Sequence, residues 1–133
     1  MANAAAELQR ALVAALKANS GLTALIAGRV FDQTPASAPF PYLTLGRLTS
    51  LDWSTATERG SEHIVTVNVW SKGKGKKEAL GLMALVDDAL HDRALALTGC
   101  ALVNLRLESS ELSYDEDQAV HHAAMRFRAV VEG

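Results

Sequence analysis

The chain has 133 residues, 49% of them apolar and 21% charged, with a formal net charge of −2. That length and mix fit one folded domain over 1–133 with one core, and exclude a disordered or fibrous chain. The near-neutral balance argues against a nucleic-acid coat or a membrane-surface protein, and no stretch approaches the ~18 apolar residues of a spanning helix.

The first segment, Met1–Glu7, has no basic n-region, and Glu7 and Arg10 interrupt any apolar run, so no secretory signal is expected. Residues Ala4–Ala18 predict a helix, with Leu8, Leu12, Ala15 and Leu16 on one stripe and alanine filling much of the rest. Asn19-Ser20-Gly21 should stop it, with Gly21 as a left-handed C-terminal residue. Leu22–Ala27 reads as a short helical turn packing through Leu22, Leu25 and Ile26. Gly28–Asp32 crosses into extended chain with room for a short strand, and Gln33–Pro39 is a loop with Pro35 and Pro39.

Two β-rich arms follow, Phe40–Leu48 and Glu62–Trp70. The segment between them, Thr49–Ser61, is polar apart from Leu51, Trp53 and Ala56. Hairpin loops usually run two to about five residues, so a longer one points to contact with something else. The second arm alternates cleanly. Val65, Val67 and Val69 face one side; Glu62, Ile64, Thr66, Asn68 and Trp70 face the other. Ile64 and Trp70 are the apolar members of that polar face.

Lys72–Lys77 reads as a flexible basic linker. A helix is predicted over Lys77–Arg93, its buried stripe Ala79, Leu82, Met83, Val86 and Leu90, with Leu85 and Ala89 at the edge. Asp87, Asp88, His91 and Asp92 lie on its other faces, where acids oppose the helix dipole. Ala94–Gly99 is a connection. The one cysteine, Cys100, allows no internal disulfide and reads as a small buried hydrophobe at a strand start; the chain suits a reducing cytoplasm. Ala101–Ser109 predicts a strand with Val103, Leu105 and Leu107 inward and Asn104, Arg106 and Glu108 outward. Tyr114–Asp117 is an acidic turn. Ala119–Val131 is a long strand with Ala123, Met125, Phe127, Ala129 and Val131 on the inner side.

The fold expected is α+β. Its order is helix-hairpin-helix-hairpin, giving a mostly antiparallel four-stranded sheet with two helices packed on one face. The bare face would present Thr66, Asn68, Asn104, Arg106, Arg126 and Arg128.

No motif for catalysis survives inspection. Gly73-Lys74-Gly75-Lys76-Lys77-Glu78 departs from a phosphate-binding loop in glycine spacing and lacks a Ser or Thr after the lysine. What is left there is a solvated turn, or a basic contact with a phosphate ligand or with DNA. His121 and His122 are adjacent on a strand, so they point to opposite faces and cannot share an ion. Asp87 and His91 at i,i+4 can share one, but two ligands do not make a site. No nucleophile elbow or Cys–His signature is present. The expectation is therefore no enzyme, no cofactor and no metal, with binding or assembly as the default.

The order of signals resembles the tail terminator or tail-completion proteins of long-tailed bacteriophages and phage-like gene transfer agents. The resemblance is carried by Leu8-Gln9-x-Ala11-Leu12-x-x-x-Leu16, Gly28–Asp32, Ala38–Gly46, Asp52–Thr55, Val67-x-Val69-Trp70-Ser71, Ala84-Leu85-Val86-x-x-Ala89-Leu90 and Phe127-Arg128-Ala129. It covers nearly the whole chain. It implies a small α/β domain that assembles as a homo-oligomer, a hexameric ring. That ring caps the tail tube, stops tube polymerisation and offers a surface to the head-tail connector, with DNA only passing through the lumen. It further implies a place at the head-proximal end of the virion tail, assembly in the host bacterial cytoplasm, and no membrane. A stopper or head-completion ring is the alternative within the same class. A ring needs two unlike patches per subunit. Interface centres favour aromatics and arginine, so Trp53, Ile64, Trp70, Arg126 and Arg128 are the expected contact residues. Trp70 has an alternative reading as core beneath the basic loop.

Overall fold

The computed structural model describes residues 3–133. The first helix, α1, spans Ala4–Ala18 and is capped by Asn3, whose Oδ1 accepts from Ala6 N at 3.1 Å. Its buried stripe is Leu8, Ala11, Leu12 and Leu16; Ala15 packs only at the edge. The Glu7 carboxylate accepts from Thr98 N at 2.8 Å, which ties the 94–100 connection to α1.

Asn19 ends α1 and also starts the second helix, α2, Ser20–Ile26, by accepting from Leu22 N at 2.9 Å. Gly21 therefore lies inside a helix instead of terminating one. A side chain there would meet Leu85 Cδ2 at 2.8 Å, so a glycine lets α2 approach the later helix. The left-handed residues sit downstream, at Ala27 (φ 51°) and Gly28 (φ 77°). Leu22 and Ile26 are buried, whereas Leu25 faces outward.

A short strand, β1, Val30–Phe31, pairs parallel with β2, Tyr42–Asp52. The next strand, β3, Gly60–Ser71, runs antiparallel to β2 as far as Asp52↔Ser61. The loop of the hairpin is thus 53–59, shorter than the sequence suggested. Thr49–Asp52 is exposed at the sheet margin, yet its backbone pairs with β3 on its inner side. A bulge between Leu45 and Leu48 places one more residue on β2 than on β3.

The third helix, α3, spans Lys77–Leu90 and buries Ala79, Leu82, Val86 and Leu90, with Met83, Leu85 and Ala89 at the margin. It stops short of Arg93 because His91 is extended (φ −64°, ψ 125°) and Asp92 is left-handed (φ 55°). Two long strands follow: β4, Ala101–Asp115, and β5, Val120–Glu132. The acidic segment Tyr114–Asp117 is therefore half strand. Bulges in β4 between Leu102 and Asn104 and between Leu107 and Ser109 break its alternation. Val103 is turned out by the first and is 51% exposed, contrary to the inward side expected for it.

The sheet has five strands in the order β1-β2-β3-β5-β4. Among the described residues three helices accompany it instead of two, and β1 adds one parallel pair to an otherwise antiparallel sheet. The pieces α2 and β1 are the short helical turn and the extended crossing read at Leu22–Ala27 and Gly28–Asp32, which the four-strand, two-helix count leaves out. Residues from all three helices and from the inward sides of the strands join one core, with Phe127, Val67, Val69 and Leu105 fully buried at the sheet. Among the described residues, no helix covers the opposite face of the sheet.

Candidate assembly surface

The uncovered face is built by strand alternation. Because Val65, Val67 and Val69 are buried, their neighbours Ile64, Thr66, Asn68 and Trp70 point away from the helices. On β5 the same rule turns His122, Ala124, Arg126 and Arg128 outward beside Met125 and Phe127.

At one end of this face the rings line up across the strands. Phe31, Tyr42, Trp70 and His122 come from β1, β2, β3 and β5 in turn. Ring centroids are 5.7 Å apart for Phe31–Tyr42, 6.3 Å for Tyr42–Trp70 and 4.1 Å for Trp70–His122. Phe40 adds a tilted contact with Tyr42 at 4.8 Å, and Lys72 Nζ lies 4.8 Å from the Phe40 centroid, within cation–π range. Two ring nitrogens in this row are partnered. Trp70 Nε1 donates to Thr44 Oγ1 at 3.0 Å, and His122 Nε2 is 2.7 Å from Asn68 Oδ1. An amide oxygen only accepts, so Nε2 carries the hydrogen. Burial pushes the His122 pKa down, with a smaller opposing pull from Glu111.

The middle of the face is charged. Arg47, Thr49, Ile64, Thr66, Glu108 and Arg126 line a shallow depression. Beside it Arg128 Nε donates to Glu62 Oε1 at 2.6 Å, and that bond holds the Glu62 carboxyl below its usual range. Arg106 lies opposite Arg128 and pairs instead with Asp92 at 3.3 Å.

Trp53 lies at the far end of β3 from Trp70. Its ring rests over Gly60, where an added Cβ would meet Trp53 Cζ3 at 2.9 Å, and 44% of the residue stays exposed. Asp52 organises the loop by accepting from Ser54 N and Ser54 Oγ, which lowers its pKa. Of the five residues singled out from sequence, Ile64, Arg126 and Arg128 come together; Trp53 and Trp70 stand at opposite ends. Trp70 is half-buried on the outer face, flanked by its ring neighbours. Phe31, Tyr42 and His122 escaped the sequence reading, because each is one ring on its own strand and only the register aligns them.

His121 faces the helix side, buried, its ring 4.6 Å from Tyr114, while His122 faces out. His91 Nδ1 accepts from Leu107 N at 3.0 Å, so it is already engaged. Among the described residues no group of three or more His, Cys, Asp or Glu is placed to hold a metal. Cys100 is half-buried just before β4, less enclosed than expected, and burial followed by the nearby Glu7 charge raises its thiol pKa. The basic turn shares the lining of an open pocket with Tyr114, Ala119 and His121. No helix of the described residues is long and apolar enough to cross a membrane.

The comparisons with known proteins agree over nearly the full length. The tail completion protein gp17 of Bacillus phage SPP1 is 24% identical over 124 residues, covering 93% of this chain and 91% of that protein. A chain in the solved virion of a native gene transfer agent particle is 31% identical with a TM-score of 0.89, covering 97% of each chain. Another solved chain, 20% identical with a TM-score of 0.62, covers 96% of this chain and 92% of its own length and shares the fold. The model of the family described as tail completion protein gp17 matches residues 10–132, from within α1 through β5, and the chain belongs to that family.

Proposed function

We propose that this protein completes the virion tail as a ring at the head-proximal end of the tail tube. The family match over residues 10–132, together with the 0.89 TM-score to a gene transfer agent virion chain, carries the reading. A structural role in a phage-type tail follows from the family itself, whose relatives are tail and virion proteins, not enzymes. The finer statement is ours. One domain, 1–133, forms a homo-oligomer, a hexamer. It halts addition of tube subunits and presents a surface to the head-tail connector, while DNA passes through the lumen. Assembly takes place in the host bacterial cytoplasm, without membrane, metal or cofactor.

The helix-free sheet face is the surface we assign to protein contact. Ile64, Arg126 and Arg128 form its centre, Trp70 its aromatic end, and Trp53 a half-exposed anchor beyond its other end. Aromatic and arginine side chains are enriched at the centres of such contacts. The decisive experiment deletes the gene and images the particles. Headless particles with tails of irregular length are expected. Head-joined tails of normal length would sink the reading.

A further inference from the structure

Both margins of the sheet carry unpaired backbone. On the β4 side the chain closes half the edge itself. Asp92 N donates to Leu105 O at 2.8 Å, and Leu107 N donates to His91 Nδ1 at 3.0 Å. Leu105 and Leu107 therefore turn their backbone groups outward. The bulge at Glu108 resets the alternation, so the next outward residues are Ser110, Leu112 and Tyr114. On the other side β1 covers only Leu43 and Thr44 of β2. Trp53 N donates to Gly60 O at 3.1 Å, and counting back along the ladder turns Leu48, Ser50 and Asp52 outward. Among the described residues, no backbone bond outside the sheet's own ladders reaches these six.

Sheet proteins usually blunt open edges with Lys, Pro or a covering segment. Here the covering segment stops at His91 and Asp92, and neither Lys nor Pro occurs in 108–115 or 45–52. The two margins are also complementary in sense. β2 is antiparallel to β3, β3 to β5 and β5 to β4. A second copy laid alongside in the same orientation brings its β2 antiparallel to β4. The two edges differ, so the contact is head-to-tail, the kind that propagates around a ring.

Resting on the ring reading above, we propose that the β4 edge Ser110–Tyr114 of one subunit pairs with the β2 edge Leu48–Asp52 of a second copy. One register uses every free group: Tyr114 faces Leu48, Leu112 faces Ser50 and Ser110 faces Asp52. Side-chain direction agrees, because within a subunit all six lie on the helix side of the sheet, level with His121, Ala123, Met125, Val65, His63 and Ser61. On the uncovered side Thr49 then meets Ser113, and Leu51, 56% exposed, meets the stem of Glu111. The uncovered face becomes one continuous surface across subunits.

The test places Thr49→Cys and Ser113→Cys in a Cys100→Ser background. The two positions form a non-hydrogen-bonded pair in this register, with Cα atoms about 4.5 Å apart, close enough for a disulfide. Inside one subunit they sit on strands separated by β3 and β5 and cannot join. Oxidised particles should give a ladder of covalent multimers on a non-reducing gel, while either single variant runs as monomer. Ser110→Pro is the second arm. It removes an N–H that the subunit itself does not use, so circular dichroism and melting should match the parent while particles lose joined tails. Monomeric double-cysteine protein in particles whose tail-end ring is visible would overturn the pairing and leave the ring standing. Ser110→Pro particles with normal tails would do the same. Normal head-joined tails in the deletion strain overturn both.

Discussion

His122 lies flat against Trp70, with ring centroids 4.1 Å apart and planes within 8°. The two residues face each other directly across β3 and β5. Trp70→Ala removes that contact and orphans the Thr44 hydroxyl. For a half-buried ring the cost should be about 2 kcal/mol, read from urea unfolding. Trp70→Phe keeps the stack and loses only the Nε1–H donor, so about 1 kcal/mol is expected.

Acid should weaken the fold through two histidines. His63 is buried between Ser50 Oγ, 2.7 Å from Nδ1, and Ser61 Oγ, 2.9 Å from Nε2. Burial lowers its pKa, and burial is the first cause for His122 also. The unfolded chain therefore takes up these protons before the folded one does. The stabilisation is complete above the ordinary histidine pKa of about 6.5 and is lost as pH falls through the depressed folded values. Unfolding midpoints measured from pH 8 down to pH 5 should fall, and His63→Gln should flatten the slope. An unchanged slope in that variant would refute the assignment.

Gly46 matters for what sits beside it. A Cβ there would come within 2.7 Å of Asn68 Nδ2. Gly46→Ala should push the Asn68 amide aside and release His122 Nε2. The expected stability loss is about 1 kcal/mol. The sharper readout is the His122 ring resonance in an NMR titration, whose midpoint should shift; an unmoved midpoint would mean that Asn68 keeps its place.

Core and surface should respond differently on the same hairpin. Val67 is fully buried in the sheet, so Val67→Asp places an unpaired carboxylate in the core and should abolish folding. Trp53 is 44% exposed with its ring against Gly60. Trp53→Ala should cost only about 1 kcal/mol of stability and reduce incorporation into particles. Thermal melts and particle yield separate the two effects.

Long periodic segments made much of this fold legible. The α1 and α3 stripes and the strict alternation of β3 and β5 predicted the buried residues with few errors. Val103 went wrong because a bulge is a backbone event that leaves no mark on hydrophobic pattern. Gly21 went wrong because two short helices share Asn19 as a hinge, and a glycine also serves close helix approach. The ends of β2 and β4 read as loop since their side chains face water while their backbones pair on one side only. The candidate surface was half visible. Which residues share a face follows from alternation within a strand; that Tyr42, Trp70 and His122 stand in one row depends on register between strands.

The central position of β3 and β5 also bears on how relatives diverge. Each is hydrogen-bonded on both sides over most of its length. One inserted or deleted residue in either would exchange core and surface for everything beyond it. The 53–59 loop and the 72–76 turn have no such constraint. Gaps between family members should therefore gather at those two turns and in 32–41, while β3 and β5 keep their length even where identity falls to 24%.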